Sequence, residues 1–172
     1  ASNALDGKLV TIPIPPPEPE DYQANGPLPS IVATEQILRA IGPENVAGVI
    51  TEQMLGGGGT FPHKDYMPAL VGLARKFGIL WIDDEVITGF RAAPGGAQEW
   101  FDVWGDMATY GKILGGGLPI GALAGSRRFM DALDGGDWRF EDNSEPEADM
   151  TFFAGTFVRH PLAMVAAYQI LM

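Results

Sequence analysis

Three consecutive acids, Asp83-Asp84-Glu85, close the apolar run Ile79-Leu80-Trp81-Ile82. Such a run reads as a buried strand, and in open parallel sheets ligands sit beyond the carboxyl ends of the strands. Alternation along a strand sends Asp83 and Glu85 to one side and Asp84 to the other. Three adjacent acids cannot all be buried there, and a fixed cationic partner is expected for one of them. Acids at strand ends also serve as helix caps or lie in solvated turns, so the triplet alone decides nothing. The second candidate is Lys112, in Tyr110-Gly111-Lys112-Ile113-Leu114-Gly115-Gly116-Gly117. A lysine before a glycine-rich turn could hold phosphate. The Walker pattern, however, needs Gly, four residues, then Gly-Lys and Ser or Thr. Here Gly105 stands one residue too far back and Ile113 replaces the hydroxyl. No G-x-G-x-x-G fits a strand-to-helix turn either, so an unrelated nucleotide-binding domain is disfavoured. A lysine enclosed by apolar neighbours has a lowered pKa and becomes a usable amine nucleophile or Schiff-base former. The plain alternative is a surface lysine in a loop.

Asp84 and Lys112 are 28 residues apart, each at the end of an expected strand. An amine and a carboxylate converging there suit pyridoxal phosphate. The lysine captures the aldehyde, and the carboxylate keeps the pyridine nitrogen protonated so that the ring acts as an electron sink.

The elements that must position this pair are legible in outline. Leu9 to Ile14 reads as a short edge strand, and Pro15-Pro16-Pro17-Glu18-Pro19-Glu20 as an extended surface segment. Ser30 looks like the N-cap of a helix with Ile31, Thr34, Ile37, Leu38 and Ile41 inward, stopped by Gly42-Pro43. Val46 to Ile50 is a strand, and Gly56–Gly59 a mobile rim loop. Asp65 starts a second helix that Gly78 ends. Strand candidates follow at 79–82, 106–110 and 120–124. A helix runs from Ser126 to Leu133, an acidic solvated loop follows over 134–150, and 151–153 is extended. A last helix opens at Pro161. Near-continuous apolar strands separated by amphipathic helices indicate an α/β fold with a mainly parallel sheet flanked by helices.

Composition narrows the class. The chain has 172 residues, 46% hydrophobic and 19% charged, which is globular. Without cysteine there is no disulfide, thiol nucleophile or thiolate metal site. His63 and His160 stand in no ligand spacing, so no metal site is expected. A net charge of −11 with only 11 basic residues argues against nucleic-acid binding. No run is long and apolar enough for a membrane span, and no signal peptide opens the chain. A soluble, cytoplasmic protein is expected. The last helix is apolar almost all round and uncapped, which reads as an excerpt of a longer chain, truncated at both ends. A small protein whose last helix packs on its own sheet is the other reading.

Trp81-Ile82-Asp83-Asp84-Glu85-Val86-Ile87-Thr88-Gly89-Phe90-Arg91, then Gly111-Lys112-Ile113-Leu114-Gly115-Gly116-Gly117-Leu118-Pro119-Ile120-Gly121-Ala122, then Gly155-Thr156-Phe157 with His160-Pro161-Leu162-Ala163-Met164, resemble the class III (ω-type) pyridoxal-phosphate-dependent aminotransferases. The resemblance covers about residues 30–172. Gly95-Gly96-Ala97-Gln98 and Thr151–Phe157 lean toward the glutamate-1-semialdehyde aminomutase branch and toward aminotransferase domains embedded in megasynthases. Residues 43–82 look more like the pyruvate-linked ω-aminotransferases.

The resemblance implies the large domain of the aspartate-aminotransferase-like (fold type I) fold over residues 30–172, after an extended segment and Pro-rich loop over 1–29. It implies pyridoxal 5'-phosphate as cofactor and an amino group passed from a donor amino acid to a keto or aldehyde acceptor. Lys112 is then the Schiff-base lysine and proton shuttle, Asp84 the partner of the pyridinium nitrogen, and Val86 a packing surface for the ring. Thr156 binds the phosphate from the neighbouring subunit of a homodimer. Glu52 matches a glutamate near the site. A carrier-bound acyl thioester is the acceptor that the megasynthase branch suggests; a small free keto acid or semialdehyde competes with it. Gln53-Met54 stand where the family usually has Pro-Val, which reshapes the site edge. A phosphate-cupping Gly-Thr/Ser turn and a ring-stacking aromatic, expected before residue 1, and a C-terminal small domain are absent, so this chain holds about half a site. The alternative is a catalytically incompetent fragment or pseudo-domain acting as a scaffold. For Phe61, Phe77, Trp81 and Phe90 core packing is expected, and for Arg91 and Arg159 salt bridges.

Overall fold

A computed structural model of the chain describes residues 12–147 and 149–172. The expected first strand lies partly outside them, and Ile12 to Ile14 form no strand. Pro19–Gln23 makes a 3₁₀ turn that presents the buried Asp21 to the start of helix α1, Pro29–Ile41. The Asp21 carboxylate accepts from the Ser30 amide at 3.1 Å and from the Ser30 hydroxyl at 2.6 Å. Ser30 is therefore not the cap. Pro29, with φ preset for a helix, occupies the first turn, and a carboxylate from outside satisfies the free amide behind it.

Strand β1, Gly48–Thr51, leads through a loop to α2, Tyr66–Phe77. Gly78 closes α2 in the left-handed conformation (φ 68°). Strand β2, Leu80–Asp84, pairs parallel with β1, placing Val49 opposite Trp81 and Thr51 opposite Asp83. A short helix α3, Gly96–Phe101, was not expected from the sequence. Strand β3, Met107–Tyr110, pairs parallel with β2, Asp84 opposite Thr109. Strand β4, Ala122–Gly125, returns antiparallel to β3. The sheet order is β1-β2-β3-β4. Helices α4, Arg127–Asp134, and α5, Pro161–Leu171, complete the described structure. Residues 151–153 form no strand.

The core gathers Leu38 of α1, Met67, Leu70, Val71 and Ala74 of α2, and Val49 and Trp81 of the sheet. On β2, Trp81 and Asp83 are buried while Leu80, Ile82 and Asp84 are half-buried on the opposite face. The period-2 pattern of the strand thus separates a structural face from a face that opens toward the site. Among the described residues no helix is long and apolar enough to cross a membrane.

Candidate active site

Parallel pairing of β2 with β3 brings their carboxyl ends to one edge. Asp84 is the last residue of β2, and Lys112 lies two residues beyond β3. The Asp84 Oδ1 accepts from the Val86 amide at 3.0 Å and from the Thr109 hydroxyl at 3.3 Å. Two donors hold one oxygen, and no described residue donates to Oδ2. Asp84 is half-buried and lines a cavity with Ile50, Glu52, Leu55 and Thr60. Val86 borders the lysine turn: a Cβ built on Gly111 would lie 3.5 Å from Val86 Cγ1. The structure therefore brings Asp84, Val86 and Lys112 to one sheet edge.

Lys112 itself adopts φ 44°, in the left-handed region that a lysine rarely occupies, at about 1–3 kcal/mol. The residue opens a 3₁₀ turn, Lys112–Gly115, on which α5 packs, with Ile170 and Ala166 beside Gly116. The side chain is exposed, so the described residues do not form the apolar enclosure expected around it. Thr156 lies in an exposed turn before α5, makes no side-chain hydrogen bond with a described residue, and lines no cavity with Asp84. The fold of this chain does not bring it to the other three.

The other two acids of the triplet are fully buried and take no cation from the described residues, contrary to expectation. Hydrogen-bond donors replace the charge. Glu85 accepts from the Thr88 hydroxyl, from the Ala97 amide at 3.0 Å and from the Gln98 amide at 2.8 Å, so it caps the start of α3. Gly96 makes room for this: with φ 80°, its Cβ would stand 2.5 Å from both carboxylate oxygens. Gln98 then carries the network on, donating to the Tyr110 hydroxyl at 3.2 Å and accepting from the Gly105 amide at 2.9 Å. Burial, and then the charges of Glu85 and Asp83, push the Tyr110 hydroxyl up. Asp83 accepts from Gln53 Nε2 at 2.5 Å. Burial pushes Asp83 up to about 7, against the Gln53 hydrogen bond that pulls it down.

Other expectations are adjusted. The Glu52 carboxylate accepts from the Gly56 amide, and Leu55 and Thr60 exchange backbone hydrogen bonds, so the glycine loop is tied at its base rather than free. Arg91 donates to the Ile87 carbonyl at 3.0 Å, and among the described residues neither Arg91 nor Arg159 forms a salt bridge. Trp81 is core and Phe77 packs on it, but Phe61 is 54% exposed and Phe90 lies against the Tyr110 ring at 5.3 Å. Gln98 is a support whose role sequence reasoning did not single out, while Glu85 and Gln53 were noted without the hydrogen bonds they make. Their signals were the acid triplet at a strand end and Gln53 standing in place of a proline.

The family model for class-III aminotransferases matches residues 4–172. A glutamate-1-semialdehyde 2,1-aminomutase of Methanococcus maripaludis is 38% identical over 162 residues, covering 92% of this chain and 35% of the relative. The same enzyme of Aeropyrum pernix is 40% identical over 141 residues, covering 81% of this chain and 30% of the relative. Among solved structures, an S-selective transaminase from Arthrobacter sp. superimposes with a TM-score of 0.70 at 34% identity, covering 86% of this chain and 30% of that one. The chain thus spans about a third of the length of the relatives it matches.

Proposed function

Because this chain belongs to the class-III aminotransferases, we propose that it carries the pyridoxal-phosphate-binding core of an enzyme that moves an amino group from a donor amino acid to a keto or aldehyde acceptor. The observation that supports the reading is that Asp84 ends β2 and Lys112 follows the adjacent parallel strand β3 by two residues. The residues fit the cofactor. Among the described residues none donates to Asp84 Oδ2, and Asp84 lines a cavity, which suits a partner for a protonated ring nitrogen. The exposed Lys112 side chain makes no hydrogen bond or salt bridge with a described residue and stands on a turn that it enters at φ 44°.

When bound, pyridoxal phosphate supplies an electron sink for charge developing at the substrate carbon. The chain's own residues bind and orient it. Asp84 keeps the ring nitrogen protonated, held in place by the Val86 amide and the Thr109 hydroxyl. Val86 offers an apolar branched side chain beside Gly111 for the ring to pack on. Lys112 Nζ would be the group that holds the cofactor at its aldehyde, with water as the leaving group, and would afterwards serve to move a proton. Thr156, exposed on its own chain, holds the phosphate of a second copy, which makes the working unit a homodimer. The relatives' names support either transfer between two molecules or an aminomutase shift within one.

The test is to add pyridoxal phosphate, reduce with borohydride and map the label by peptide mass spectrometry. Label confined to Lys112, and abolished in Lys112→Ala, is expected. Label scattered over surface lysines, or undiminished in Lys112→Ala, overturns the assignment.

A further inference from the structure

Directly behind Asp84, on the buried face of the sheet, Gln53 and Asp83 form a closed polar pair. Gln53 Nε2 donates to Asp83 Oδ2 at 2.5 Å and to the Val103 carbonyl at 2.7 Å. Gln53 is 1% exposed and Asp83 is fully buried. Two oxygens remain, Gln53 Oε1 and Asp83 Oδ1. Both are acceptors, and neither has a donor. Trp81 Nε1, two residues back on the same strand face, is buried without an acceptor and gives Asp83 nothing. The titratable groups facing Asp83 add no positive charge: Asp84 and Glu85 on its own segment, and the Tyr110 hydroxyl of β3. An ionised Asp83 is therefore a buried carboxylate with one hydrogen bond, no cation and two acidic neighbours. The cost of such a charge is several kcal/mol.

One proton on Asp83 Oδ1 resolves every mismatch in this pair. It removes the charge and supplies the donor that Gln53 Oε1 lacks. An amide and a carboxylic acid present complementary edges, N–H to C=O and O–H to O=C. We propose that Asp83 is a neutral carboxylic acid paired edge to edge with Gln53, and that this pair is a positioning device: it ties the end of β2 to the segment after β1 and leaves Asp84 as the charge facing the site. The first half stands on the buried pair alone; the second rests on the reading of Asp84 given above. Burial, together with Glu85 and Asp84, pushes the Asp83 carboxyl in the same direction. The Gln53 side chain is central to the device, and a proline at this position could not make it.

Infrared difference spectra of the protein against Asp83→Asn, in H₂O and D₂O near pH 6, test the proposal without cofactor. Wild type is expected to show a carboxylic-acid C=O band that shifts in D₂O and is lost in the variant. A difference confined to the carboxylate bands overturns the neutral acid. Asp83→Asn keeps the pair's hydrogen-bond pattern with an amide, so it is expected to fold. Should it not, selective ¹³C labelling of aspartate carboxyls in the wild type reads the same protonation state by NMR. For the positioning half, Asp83→Ala is expected to lose pyridoxal phosphate on dialysis faster than Asp83→Asn, and equal retention overturns it. Failure of wild type to label Lys112 strikes the functional reading and leaves the infrared result standing.

Discussion

Glu85→Ala should destabilise the protein by about 3–5 kcal/mol. The magnitude follows from what the carboxylate holds. Its removal strands the buried amides of Ala97 and Gln98, each worth about 1–3 kcal/mol when left unpaired, and the Thr88 hydroxyl at about 1 kcal/mol. Water entering the space left by the side chain returns part of that sum. Gly96→Ala approaches the same group from the other side. Its new Cβ meets the Glu85 oxygens at 2.5 Å, and φ 80° costs an L-residue about 1–2 kcal/mol by itself. In the Glu85→Ala background the collision disappears and only the dihedral cost remains. The double variant should therefore be more stable than the sum of the two single changes predicts, by about 1–2 kcal/mol. Urea unfolding of the four proteins, compared at constant m-value, measures this coupling. Additivity within about 0.5 kcal/mol, or a Glu85→Ala cost below about 1 kcal/mol, would refute the idea that one carboxylate joins α3 to the end of β2.

The buried acid gives a pH signature of known sign. Asp83 is raised from 3.8 to about 7, so the folded state binds its proton more tightly than the unfolded state. Its stabilising contribution is complete below about pH 4 and declines as pH rises toward 7. Urea midpoints over that window should fall less steeply in Asp83→Asn than in wild type, and parallel profiles would contradict the shift. Asp84→Asn should lower turnover of a cofactor-loaded enzyme by about 10²–10⁴-fold if its charge acts in the transition state. Steady-state kinetics check this, and near-normal kcat would remove Asp84 from its role.

Elements with local signals were readable from the residues. Helix α2 has a periodic apolar face and Gly78 at its end, and β2 is a continuous apolar run, so both lie within a residue or two of expectation. Helix α3 was invisible because Gly95-Gly96 reads as a loop, and the group that starts the helix is a glutamate more than ten residues earlier. Ser30 misled for a similar reason: its hydroxyl serves Asp21 across the chain rather than its own helix. The expectation of a cation beside the acid triplet assumed that buried charge must meet charge. Backbone amides, a threonine hydroxyl and a glutamine amide answered instead, and their positions depend on tertiary structure. Asp84 and Lys112 could be paired in advance because each sits at or just past a strand end, whereas Val86 was named only through the family resemblance. Thr156 too was named only through the resemblance, as a residue reaching in from a second subunit, and within one chain nothing draws it to them.

The reversal of direction at β4 separates two kinds of assembly in time. Strands β3 and β4 meet through a short connection, with Tyr110 opposite Ala122, so the segment bearing Lys112 is clamped at both ends by neighbours close in sequence. Joining β2 to β3, or β1 to β2, closes longer loops around α3 and α2 and carries a larger entropic cost. The lysine turn is thus expected to acquire its shape early in folding, before Asp84 has a place. A molecule gripped by both residues would recognise only chains in which the later parallel pairing is complete, and its binding would draw the folding equilibrium toward that finished sheet.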